Sequence, residues 1–136
     1  MTGFKAISAG IVTIIVLGLV NQLVVIMANV GFSSLAKSYE VFSPYINLLT
    51  YIVGAIGYFS VMFCGGFVTA GICREKIYRH ALIAAVIASS ASLWLSLRSD
   101  IFTPIALVFL LSGILFTLLG SWVWKNSRFN PKQISK

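Results

Sequence analysis

Acidic residues are nearly missing from this chain. Glu40, Glu75 and Asp100 stand against ten lysines and arginines. All three fall in predicted loops, so no carboxylate lies inside an apolar run. Proton-coupled transport and intramembrane aspartyl hydrolysis need ionisable groups at depth, and both are excluded on that ground. Charge of either sign is scarce, at 10% of residues against about 25% in soluble domains. So few charges cannot coat a water-soluble core, and at 59% hydrophobic the chain suits a bilayer.

Cysteine and histidine are also scarce. Cys64 and Cys73 share one predicted helix, about 13 Å apart along its axis, beyond disulfide reach. His80 is the only histidine, so a structural zinc site lacks ligands. A Ser/His dyad would need His80, which falls at the surface end of a helix with no acid or nucleophile clearly beside it. The sequence therefore predicts no enzyme, no cofactor and no metal. The net charge of +7 has no phosphate-reaching face behind it, so nucleic acid is not an expected partner.

What the chain has in quantity is long apolar runs. The first, Ala6–Val30, has 25 residues and would cross a bilayer with some tilt, at about 37 Å. A secretory signal peptide is the rival reading, with Lys5 as its basic flank and Ser34-Leu35-Ala36 as a cleavage motif. The run is longer than such an apolar segment, so a retained helix is expected. Residues 31–43 read as a loop with interfacial Phe32, Tyr39 and Phe42. Ser43-Pro44 reads as a helix start, with Ser43 as its N-cap. The second span is expected over 45–73, the third over 80–97 and the fourth over 104–124. Residues 125–136 form a basic tail. Thr103-Pro104 repeats the helix-start device.

The fold class is thus all-α, a four-helix transmembrane bundle. Its orientation follows from the basic residues. Lys5, Arg74, Lys76, Arg79, Lys125, Arg128, Lys132 and Lys136 fall on one side, and Lys37 and Arg98 on the other. Positive charge favours the cytosolic side, which places both termini in the cytosol. The turn basics Arg74, Lys76 and Arg79 are candidates for contact with anionic lipid, and Glu75 is within i,i+4 reach of Arg79.

Small residues lie where helices would touch. Gly65, Gly66 and Ala70 end the second span, and Gly65-Gly66 is its expected kink. Ala84, Ala88, Ser92 and Ser96 form an i+4 stripe on the third, expected to dock on the second. Gly113, Thr117 and Ser121 do the same on the fourth. Such positions let backbones approach closely in lipid. Trp94, Trp122 and Trp124 read as interfacial anchors.

The most polar feature inside the spans is Asn21-Gln22. Counting nine residues inward from each outer helix end brings Asn21, Gly54, Ala88 and Ser112 to one depth, with Gln22, Gly57, Ser89, Ser90 and Gly113 beside them. This polar layer has two readings. It is either interhelical glue, Asn21 or Gln22 bonding to Ser89, Ser112 or a carbonyl near Gly54, or the lining of a small polar cavity.

The end of the second span, Gly65-Gly66-Phe67 with Ala70-Gly71 before Arg74, resembles a group of small uncharacterised bacterial integral membrane proteins. Their four helices include a second one ending Gly-Gly-aromatic before cytosolic arginines. The resemblance implies a multi-pass protein of the bacterial inner membrane and no particular activity. The function expected from the chain is a non-enzymatic accessory, assembly or oligomer-forming subunit. Its partners would be the lipid bilayer and either a second copy or another membrane protein. The alternative is a small channel, uniporter or lipid flippase built on the Asn21/Gln22 layer.

Overall fold

A helix that is apolar on every side has no stripe to bury against one neighbour, so its natural surroundings are apolar too. Each helix of this chain has that character. The computed structural model describes residues 2–73, 76–97 and 104–128, and for residues 2, 92–97 and 104–106 the backbone alone. Four α-helices account for nearly all of them: α1 (Thr2–Ser38), α2 (Ile46–Ile72), α3 (Ile77–Leu97) and α4 (Pro104–Arg128). Three helical stretches, Gly3–Ser38, Glu40–Ile72 and Leu107–Arg128, are long and apolar enough to cross a membrane. The described apolar part of α3 is shorter, Ile77–Ala91. These helices fit a membrane protein.

The α1–α2 hairpin differs from the expected loop. Residues 31–38 continue α1 instead of leaving it. Ser33, Ser34 and Lys37 are polar but do not break a helix, and no proline intervenes. The chain then makes a short 3-10 helix, Glu40–Tyr45, with Pro44 inside it. Consequently Ser43 is not the N-cap of α2. Tyr45 holds that position and makes no side-chain capping bond. Pro44 fits because its missing N–H costs little in a first turn.

At the other end α2 closes on Cys73, whose N–H donates to Thr69 O at 3.1 Å. The turn to α3 is short because Lys76 adopts a left-handed backbone, φ 51°. The Lys76 carbonyl then accepts the N–H groups of Arg79 and His80, and α3 begins at Ile77. The first turn of α3 thus lies ahead of the expected start at His80. Arg74 and Glu75, and with them the Glu75–Arg79 pair, lie outside the described residues, as do the loop with Arg98 and Asp100 and the tail from residue 129.

Helix α2 lies between α1, antiparallel to it, and α4, parallel to it. The register is visible in matched contacts. Gly54, Gly57 and Gly65 of α2 face Val25, Asn21 and Ile14 of α1. Tyr58, Gly66 and Gly71 face Gly113, Thr117 and Trp124 of α4. Helix α3 packs against the other three. Ile14, Val61, Met62 and Ala88 form the central apolar cluster, with Leu17, Tyr58 and Phe116 packed around it. Helix α2 passes through Gly65-Gly66 without a break in its helical run.

Candidate functional site

The two adjacent glycines of α2 serve different neighbours, because successive helix residues point about 100° apart. A Cβ on Gly65 would strike the Ile14 side chain of α1. A Cβ on Gly66 would strike the backbone carbonyl of Thr117 in α4. The second approach is the closer kind, backbone on backbone. Gly120 repeats it from the other side, where a Cβ would meet the Phe63 carbonyl. The Ser121 hydroxyl shares its hydrogen between Gly66 O at 3.0 Å and Thr117 O at 3.1 Å. Thr117 and Thr69 donate within their own helices, to Gly113 O at 2.9 Å and Gly65 O at 2.8 Å. These three buried hydroxyls are thus satisfied by carbonyls one turn back or one helix away.

All six helix-packing candidates are buried: Gly65, Gly66, Ala70, Ala84, Ala88 and Gly113. On α3 the buried stripe is Ala81, Ala84, Ala85, Ala88 and Ser89. It meets all three other helices, not α2 alone. The side chains of Ser92 and Ser96 lie outside the described set.

The candidate polar layer is divided. Asn21 faces inward and seats its carboxamide on Gly57, where a Cβ would collide with Oδ1. Gln22 is exposed. Gly54 touches Val25, its virtual Cβ 3.5 Å from Cγ2. Ser112 spends its hydroxyl on its own helix, at 2.7 Å from Val108 O and 3.0 Å from Phe109 O. No hydrogen bond joins Asn21 or Gln22 to Ser89, Ser112 or a carbonyl beside Gly54, so those expected bonds are not made. The reasons are geometric: Asn21 is seated on Gly57, Gln22 is exposed, and Ser89 follows Ala88, which packs at the level of Ile14, Val61 and Met62.

The residue that does bridge this level is Tyr58. Its hydroxyl donates to Phe109 O at 3.2 Å and occupies the space that the missing Gly113 side chain leaves. Ser89 lies beside that hydroxyl. Its own Oγ is buried and makes no bond of hydrogen-bonding geometry. Tyr58 also joins a ring cluster in which Phe59 stacks between Phe109, at 5.9 Å, and Phe116, at 4.5 Å. Tyrosine reads as an interface residue in sequence, which hid this role. The signal that would have found it is its place next to Gly57, opposite Gly113.

At the Gly3 end, the His80 ring fills the space beside Gly3 of α1. Its Nδ1 lies 3.0 Å from Lys76 O and 3.3 Å from Cys73 Sγ. A carbonyl can only accept, so Nδ1 carries hydrogen there. His80 thus ties the starts of α1 and α3 to the end of α2. Neither cysteine is in a disulfide. Among the described residues no group of three or more His, Cys, Asp or Glu could hold a metal.

Trp124 packs edge-on against Phe67 at 4.8 Å and covers Gly71, so it is a packing residue of the bundle. Arg128 lies over its ring, and Lys125 over that of Tyr78. Lys76 and Arg79 are exposed. No family model, curated protein or solved structure matches the chain.

Proposed function

We propose that the chain is a multi-pass membrane protein that acts through contacts and not through chemistry. It is a small accessory or assembly subunit, or a homo-oligomer. In this reading it crosses four times with both termini in the cytosol, as the positions of its basic residues favour. The resemblance of the Gly65-Gly66-Phe67 segment favours a bacterial inner membrane. Lys76 and Arg79, exposed beside the α2–α3 turn, would meet anionic headgroups together with Arg74.

The observation that carries this reading is the uncovered side of the α1–α2 hairpin. The small-residue stripes are consumed inside the chain, so they leave nothing over for a partner. Beyond Ile14 no residue of α1 is buried, and before Val61 none of α2 is. Val24, Met27, Val30, Leu35, Leu48 and Tyr51 stand about half exposed or more. Gentle purification followed by weighing of the native assembly tests it. A homo-oligomer or a stoichiometric second protein is expected. A monomer without a protein partner would overturn it.

One observation favours the alternative, a small carrier or channel. The Ser89 hydroxyl is buried beside Tyr58 and makes no bond of hydrogen-bonding geometry. A polar solute or water could use it. Asn21, Gly54 and Ser112, three of the five candidate layer residues, are nevertheless occupied by contacts within the bundle, which supports packing over passage.

A further inference from the structure

We propose that two copies of this chain pair through the side of α1 that carries Gln22. This inference rests on the contact-acting reading and names its partner. Asn21 marks the side of α1 that faces α2. Ala6 and Leu17, packed among buried residues of the bundle, widen that occupied face. Gln22 lies outside it. It shares its stripe with Ile15, Leu19 and Ile26, at spacings of four, three and four. All three are more than half exposed. One turn before Gln22, Gly18 has nothing within 4 Å of where a Cβ would stand.

Ile15, Leu19 and Ile26 could rest against lipid indefinitely. The Gln22 carboxamide could not, since its N–H groups and its carbonyl find no partner in hydrocarbon. A second copy supplies both. A two-fold axis along the membrane normal brings Gln22 opposite Gln22 at one depth. Each amide then donates to the carbonyl of the other. The open space at Gly18 admits the partner helix, and Ile15, Leu19 and Ile26 interdigitate around the polar pair. An amide in an apolar seam of this spacing specifies register and copy number.

Counting full-length, singly labelled chains by photobleaching in liposomes of increasing lipid-to-protein ratio tests this. The wild type is expected to form dimers that dissociate on dilution. Gln22→Leu should raise the dissociation constant about tenfold, as expected for the loss of two interhelical bonds. Gln22→Asn should restore most of it, and Gly18→Leu should weaken it. A wild-type dimer that Gln22→Leu leaves intact would overturn the pairing face while keeping the contact-acting reading. A monomeric wild type bound to a stoichiometric second protein would also overturn the pairing and keep that reading. A monomer with no partner would overturn both. The thermal midpoint of each variant separates lost pairing from lost folding.

Discussion

The two ends of this bundle are built differently. In the half nearest Gly3, Cys73 and His80, four helices meet and glycines, alanines and hydroxyl residues are buried between them. In the half nearest the 3-10 helix, α1 and α2 run on largely uncovered. The difference follows from helix length. Helices α1 and α3 start together where Gly3 meets the His80 ring. Helix α3 ends at Leu97, which at equal rise is level with about Val20 of α1. Beyond that level the side of the hairpin that α3 would cover has no helix on it. Stability therefore resides mainly in one half, while uncovered apolar surface runs along α1 from Ile15 into the other.

That comparison is broken most sharply at Gly66. Gly66→Ala places a methyl into the Thr117 carbonyl, and neither backbone can yield without moving a helix. The expected loss is about 3 kcal/mol, read by thermal or SDS unfolding in detergent. Gly65→Ala meets chiefly the Ile14 side chain, with the Gly10 carbonyl at an ordinary 3.6 Å, so a side chain and not a backbone must shift, and about 1–2 kcal/mol is expected. Equal losses at the two positions would mean that α1 is held as rigidly as α4. Ser121→Ala removes the bond to Gly66 O and should cost about 0.6 kcal/mol, the average for such bonds in membranes. Opposite in sign is Gly31→Ala in the open half. Nothing lies within 4 Å of its Cβ position, so stability should hold or rise by up to about 1 kcal/mol from helix propensity. A clear loss there would show that the open half is packed after all.

Much of the closed half was legible in the residues. Gly65, Gly66, Ala70, Ala84, Ala88 and Gly113 are small, and small residues in apolar helices are placed where backbones meet. The helix order and the short α2–α3 turn followed from hydropathy and charge. The open half was harder to read. Hydropathy falls at Ser33, Ser34 and Lys37, yet helix formation depends on backbone bonds that polar side chains do not interrupt. Depth along the membrane could be counted, but depth is not direction. Asn21 and Gln22 share a depth and still face different surroundings, because each helix step turns the side chain by about 100°. Tyr58 was missed for the same reason. Its importance lies in facing Gly113, a relation between two helices that neither sequence segment carries alone.

The central claim is that the polar level around Asn21 packs helices and does not pass solutes. Solute flux through liposomes containing the full chain tests it most directly, with wild type compared against Asn21→Leu. The account predicts that neither protein raises flux of small polar solutes above that of empty liposomes. A leak in the wild type that Asn21→Leu abolishes, with folding retained, would contradict it.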